Sequence, residues 1–134
     1  MSVIAIIGAG PLGGALAHKL AGRNRVGEVR LIDADEPVAR GKALDIRQSG
    51  PVEGFTTASN AEGSIHAAVG ADAIVLADAV AGGEHTGEAG LGLIRRLHAA
   101  GSVAPLIFAG AAQRELMSRC VAPAKMSGAT DPAA

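Results

Sequence analysis

Residues 3–13 read Val3-Ile4-Ala5-Ile6-Ile7-Gly8-Ala9-Gly10-Pro11-Leu12-Gly13. Five apolar residues, most of them β-branched, run into a glycine. A short strand that is apolar on both faces is one buried from both sides, as in a parallel sheet. Gly8 to Pro11 breaks it. Beyond the break Leu12, Leu16 and Leu20 recur at spacing four with Ala15 and Ala17 between them, a helical period that Gly22 and Asn24 end. A buried strand passing through glycines straight into a helix is the first half of a βαβ unit.

The alternation continues along the chain. Val29 to Ile32 reads as a second strand ending at Asp33, and Glu36 to Ile46 as a helix with Pro37 in its first turn, stopped by Ser49-Gly50-Pro51. Gly54 to Ala58 is a weak third strand. Glu62 to Val69 is a short helix closed by Gly70. Ala73 to Ala77 is a fourth strand, apolar on both faces. Residues 78–90 form a loop with four glycines, Leu91 to Ala100 a helix, Val103 to Ala109 a fifth strand and Ala111 to Val121 a last helix. Strands alternating with helices predict an α/β fold: a Rossmann-like, doubly wound parallel sheet of about five strands, order 3-2-1-4-5, with helices on both faces and right-handed crossovers. The crevice of such a sheet lies at the carboxyl ends of strands 1 and 4. Residues 1–121 are expected to form this one domain and residues 122–134 a flexible tail.

Composition narrows the function classes. The chain has 134 residues, 49% hydrophobic and 19% charged, with net charge −1, which excludes a disordered polyelectrolyte. The near-neutral balance argues against a nucleic-acid binder, which needs clustered Lys and Arg. No apolar run is long enough to span a membrane. With 29 alanines, 19 glycines and only Phe55 and Phe108 as aromatics, the core is made of small side chains. Such a core buries little area per residue and gains from a covering surface, so a homodimer is expected. The single cysteine, Cys120, cannot close an internal disulfide, and the amino terminus lacks a positive stretch before its apolar run. Both suggest a cytoplasmic location.

Gly8-Ala9-Gly10-Pro11-Leu12-Gly13 fits the pattern G-x-G-x-x-G, in the strand-to-helix context its mechanism requires. Gly8 permits the turn, Gly10 lets a pyrophosphate approach the backbone, and Gly13 lets the helix sit close to the sheet. Pro11 has no N–H, so Leu12 and Gly13 are the expected anion donors at the helix start. Asp33, 20 residues after Gly13, stands where a carboxylate accepts from ribose hydroxyls. Asp35 and Glu36 beside it disfavour a 2′-phosphate, so the expected cofactor is NAD rather than NADP. The plainer reading is a strand–helix turn followed by a solvated acid. S-adenosylmethionine sites also use a glycine loop and an acid after strand 2, although the spacing to Gly13 argues against them.

These residues, with Gly41-Lys42-Ala43-Leu44-Asp45-Ile46, Pro51-Val52-Glu53-Gly54-Phe55 and Gly70-Ala71-Asp72-Ala73-Ile74-Val75, resemble the NAD-binding amino-terminal half of the malate/lactate dehydrogenase family. The resemblance implies hydride transfer between NAD and a 2-hydroxy acid, and it brings Ala77 and Ala79, after strand 4, near the cofactor. The departures matter as much. Where the family has a Thr-Ala-Gly-like turn, this chain has Ala77-Asp78-Ala79, which puts a negative charge near the pyrophosphate or the nicotinamide ribose. The loop Ala81-Gly82-Gly83-Glu84-His85-Thr86-Gly87-Glu88 lacks the family's arginines. Gly110-Ala111 replaces its Asn-Pro, and its catalytic His and Asp belong to a second domain that this chain does not reach.

Residues 48–94 contain no Lys or Arg and carry six acids, so a carboxylate clamp is missing where a 2-hydroxy acid would need one. Arg95-Arg96 reads as a solvated helix face. His85 reads as a solvated loop histidine, with a general base or pH-sensitive contact as the sharper alternative. His18, His66 and His98 read as helix-surface residues without metal-ligand spacing, and Cys120 as a buried structural thiol. The expected function is an NAD(H)-binding domain with no catalytic residue of its own. The alternatives are a non-catalytic NAD sensor and an interaction module whose crevice is vestigial.

Overall fold

The structure, a computed structural model, describes residues 2–124. Its elements are β1 (Val3–Ile7), α1 (Pro11–Arg23), β2 (Glu28–Ile32), α2 (Glu36–Glu53), β3 (Ala58–Glu62), a 3-10 turn (Ile65–Ala68), β4 (Ala73–Leu76), β5 (Asp78–Ala79), β6 (Gly83–Glu84), α3 (Gly87–Ala99), β7 (Leu106–Phe108), a second 3-10 turn (Ala111–Gln113) and α4 (Arg114–Ala124). The main sheet is parallel with order β3-β2-β1-β4-β7. This is the expected doubly wound order, with β7 as the fifth strand.

Because β1 alternates its side chains across the sheet, it feeds two cores. Ile6 joins Leu31, Ile46 and Phe55 on the face covered by α1 and α2. Ala5 and Ile7 join Ile32, Ile74, Leu76, Leu93, Leu97 and Leu116 on the other face. In α1 the fully buried seam is Gly13, Ala17 and Ala21, with Leu12, Leu16 and Leu20 flanking it half-buried. Small residues set that helix close to the sheet, and the leucines seal its edges. Asn24, with φ 54°, closes α1 in the left-handed conformation.

Several boundaries differ from the sequence expectation. Helix α3 begins at Gly87 rather than Leu91, with Gly90 N already donating to Thr86 O, and β7 spans only Leu106–Phe108 rather than Val103–Ala109. Helix α2 does not stop at Ser49-Gly50-Pro51 but runs to Glu53. Pro51 removes one helical N–H, yet Gly50 is buried against Phe55, and its carbonyl accepts from both Gly54 N (2.7 Å) and Phe55 N (3.1 Å). Gly54, with φ 84°, then ends the helix. The third strand accordingly shifts to Ala58–Glu62, with Ser59 and Ala61 turned inward. Its Ala-Ser-Asn-Ala-Glu sequence has no β-branched residue to announce it. Glu62 thus belongs to a strand, and the expected helix over 62–69 shrinks to one 3-10 turn capped by Ser64. At the carboxyl end α4 continues to Ala124, and the tail expected over 122–134 lies, from residue 125 on, outside the described residues.

No helix among the described residues is long and apolar enough to cross a membrane.

Candidate functional site

The glycine loop forms where predicted, but its amides are already engaged. Gly8 N donates to Ile32 O at 2.7 Å, Gly10 N to Asp78 O at 2.8 Å and Gly14 N to Gly10 O at 2.9 Å. Ala9 N donates to Asp33 Oδ2 at 2.8 Å. At the start of α1, Leu12 N donates to Asp78 Oδ2 at 2.9 Å and Gly13 N to Asp78 Oδ1 at 2.7 Å. Helix α1 has no capping side chain of its own at Gly10. Asp78 supplies the cap from across the sheet. A carboxylate held by two N–H groups at the positive end of a helix dipole is well placed for a charge that is 7% exposed.

Gly8, Gly10 and Gly13 are each required by close approach. A Cβ at Gly8, where φ is 119°, would lie 2.5 Å from Asp78 O, and one at Gly10 would lie 2.4 Å from Asp78 Oδ2. A Cβ at Gly13 would lie 1.8 Å from Gly8 O. The group approaching Gly8 and Gly10 is therefore residue 78 itself. It is presented by a short antiparallel hairpin in which Asp78 pairs with Glu84 and Ala79 with Gly83. This hairpin, inside the stretch expected to be a loop, is held down by Gln113. The Gln113 Nε2 donates to Ala77 O (3.2 Å) and His85 O (3.0 Å), while Gly110 N donates to its Oε1 (2.9 Å). Ala112 N donates to Glu84 Oε1 at 3.0 Å, which ties the far strand to the same turn.

Asp33 sits at the carboxyl end of β2 and is turned inward. Its Oδ2 accepts from Ala9 N (2.8 Å) and Val80 N (2.9 Å), and its Oδ1 from Asp35 N (2.9 Å). Burial raises the pKa of this carboxyl, but the three amides, helped by His85, outweigh it and hold the group below the usual carboxylate range. A carboxylate has about four lone-pair positions, so Asp33 keeps one for an outside hydroxyl.

Lys42 of the Gly-Lys-Ala-Leu-Asp segment donates from Nζ to Ala9 O at 2.6 Å, bracing the loop from the α2 side.

Next to the loop lies a cavity of about 720 Å³, lined among others by Ile32, Asp33, Ser64, Ala79, His85 and Arg96. It crosses the carboxyl ends of β1, β2 and β3 and is walled by α3. Gly8 lines it, whereas Gly10, Pro11, Leu12 and Gly13 do not. Of the expected cofactor contacts, then, Gly8, Asp33 and Ala79 face one space. Leu12 and Gly13 face Asp78. Ala77 is fully enclosed, donating to Ile7 O and accepting from His85 N.

Arg96, exposed as expected, and His85, half-buried where a solvated loop residue was expected, both line this cavity. Arg96 faces it from α3, and the signal was available: Ala89, Leu93, Arg96 and Ala100 share one helical face. His85 has its Nε2 buried without a hydrogen-bond partner among the described residues. Burial pushes its imidazole below the ordinary value, against the opposing pull of Asp33 and Asp78. Their combined position could not be read from spacing, because the hairpin that turns His85 inward has no hydrophobic period.

The remaining candidates are peripheral. His18 meets the Glu53 carboxylate at 3.2 Å and lies edge-on to Phe55, while His66 and His98 are exposed. Burial raises the Cys120 thiol pKa, which suits a packing role. No group of three metal-ligating side chains occurs among the described residues.

A dinucleotide spanning loop and cavity does not fit this arrangement unaltered. The cavity can take a nucleoside, but the helix-start amides that would receive its diphosphate hold Asp78.

Comparison with known proteins gives a consistent picture. The family described as lactate/malate dehydrogenase, NAD binding domain, matches residues 2–96. A malate dehydrogenase of Cereibacter sphaeroides is 48% identical over 73 residues, which is 54% of this chain and 22% of that protein. A Plasmodium falciparum malate dehydrogenase solved in complex with NADH superposes with TM-score 0.55 at 29% identity, over 60% of this chain and 26% of its own. A Cryptosporidium parvum lactate dehydrogenase solved with lactic acid and nicotinamide adenine dinucleotide gives TM-score 0.52 at 32% identity, over 55% and 23%. The chain thus spans about a quarter of the length of these relatives.

Proposed function

Since the chain belongs to the lactate/malate dehydrogenase family, as its NAD-binding domain, we propose that its crevice receives NAD(H) and that these 134 residues alone transfer no hydride. The adenosine half enters the 720 Å³ cavity, with Asp33 offering its remaining lone pair to a ribose hydroxyl. The observation that carries this reading is the nucleoside-sized cavity at the carboxyl ends of β1 and β2, with Gly8 and Asp33 both in its lining. Hydride transfer to a 2-hydroxy acid needs an acid/base and a carboxylate clamp held in register with the nicotinamide. Arg96 lines the crevice from α3. Pairing through apolar helix surfaces belongs to the same reading, supported by the small-residue core, as does a cytoplasmic location, supported by the single cysteine.

The test is an equilibrium titration with NADH. The chain has no Trp or Tyr, so enhancement of nicotinamide fluorescence stands on a dark background. Binding that adenosine displaces supports the proposal. Absence of NADH binding at millimolar ligand overturns it. Turnover with oxaloacetate or pyruvate overturns the inactive part. One observation favours a second reading, a partner-binding module that no longer takes a nucleotide: the diphosphate place is filled by the protein's own carboxylate.

A further inference from the structure

We propose that Asp78 is a built-in anion that fills the diphosphate place of the glycine loop and sets the ligand preference of the crevice, favouring an uncharged nucleoside over a ligand carrying a diphosphate. Three independent features support it. First, the start of α1 has no amide left to give: Pro11 lacks one, Leu12 and Gly13 are on the Asp78 carboxylate, and Gly14 is on Gly10 O. Second, the backbone of residue 78 occupies the approach as well as its side chain. Gly10 N is bonded to Asp78 O, and both Gly8 and Gly10 have room for nothing larger than hydrogen on that side. Third, the cavity stops short of the helix start, since Gly10 to Gly13 are absent from its lining. A ligand can therefore fill the cavity without touching the anion site, and a diphosphate has to displace Asp78 first.

Displacement is opposed twice. The leaving carboxylate gives up two charge-assisted hydrogen bonds and a helix terminus. Unless it moves away, it also faces the incoming phosphates at short range, where like charges repel strongly. The hairpin makes that movement hard, because Gln113 and Glu84 fasten it to the start of α4. Only the identity of the disfavoured ligand as a dinucleotide rests on the function proposed above; the filled anion site stands on the geometry alone.

The experiment compares the full chain with Asp78→Ala, Asp78→Asn and the charge control Asp72→Asn, whose carboxylate takes Val3 N at the opposite end of β1. Each is titrated with NADH, adenosine and inorganic pyrophosphate at low and high salt. Circular dichroism reports folding, and Asp78→Asn, which keeps an acceptor oxygen for one amide, serves if the alanine variant is too unstable. The expected result is NADH affinity raised at least about tenfold in Asp78→Ala, with adenosine affinity changed less than about twofold and the gain narrowing at high salt. Pyrophosphate should bind the Asp78 variants at millimolar concentration and not the parent chain. Equal NADH affinity in parent and variants overturns the proposal while leaving the dinucleotide reading standing. The same gain in Asp72→Asn also overturns it. Pyrophosphate binding gained in Asp78→Ala, with no protein binding NADH or adenosine, upholds the role of Asp78 and removes the dinucleotide reading.

Discussion

Gly13 offers the sharpest test of how this fold is held together. A methyl added there lies 1.8 Å from Gly8 O, and ordinary contact begins near 3.4 Å. The obstructing atom is a backbone carbonyl at the end of β1, so no side chain can swing aside. Either α1 lifts off the sheet, breaking the Leu12 and Gly13 bonds to Asp78, or the β1 terminus moves and disturbs Gly8 N on Ile32 O. Overpacking of a close-packed site costs about 1–3 kcal/mol, and a rigid obstruction belongs at the upper end. With a urea slope of roughly 1–3 kcal/mol per molar for a domain of this size, Gly13→Ala should lower the unfolding midpoint by about 1–3 M. Far-ultraviolet circular dichroism at 222 nm follows the four helices. The matched control is Gly41→Ala on the exposed side of α2, where, beyond its chain neighbours and the helix's own backbone, no atom among the described residues lies within 4 Å of the new Cβ. That change should stabilise by about 0.5–1 kcal/mol, because alanine suits a helix interior better. A Gly13→Ala midpoint equal to the parent's, or a Gly41→Ala loss as large as that of Gly13→Ala, would refute the close-approach argument.

Replacing Asp33 by Asn leaves one acceptor oxygen for three backbone donors, Ala9, Val80 and Asp35. A loss of about 1–3 kcal/mol is expected, read from thermal melts, and unchanged stability would show that water serves these amides equally well. Gln113→Met keeps volume but strands His85 O and Gly110 N and takes from Ala77 O one of its two donors, so hydrogen exchange in the hairpin at residues 78–84 should quicken markedly; protection as in the parent counts against the anchoring role. Stability should fall on acidification in two windows. His85 has a folded pKa below its unfolded value of about 6.5, so its unfavourable proton uptake appears as pH drops below that value. Asp33, also depressed, gives a contribution that is complete above about pH 4 and is lost as pH falls through its lower folded value. A melting temperature flat from pH 6.5 to 5, or a decline unaltered in His85→Gln, would contradict the first window.

The sheet order was legible because it depends on strands buried on both faces. Val3–Ile7 and Ala73–Leu76 announce themselves by composition, and the glycine loop between β1 and α1 fixes the winding. The edge was less legible. Ala58–Glu62 pairs through its backbone and buries only Ser59 and Ala61, so its side chains carry little signal. The run of α2 through Pro51 depends on Phe55 folding back over Gly50, a tertiary contact that overrides a local breaker. At the site, the sequence identified Leu12 and Gly13 as donors and flagged Asp78 as a misplaced charge. It could not reveal that these are partners, because the contact joins residues 66 positions apart through a hairpin with no periodic pattern. The inward turn of Asp33 was hidden for the same reason: its partners Ala9 and Val80 arrive from the loop after β1 and from the turn of the hairpin.

The arrangement of residue 78 also changes what a glycine signature testifies to. Gly8, Gly10 and Gly13 are demanded here by the protein's own backbone, whether or not a nucleotide ever arrives. A lineage that stopped handling coenzymes would retain all three for the sake of folding, and the fingerprint would outlive the trade it advertises. What fills such a pocket then lies beyond the fingerprint, at a position that a search for the glycines alone passes over.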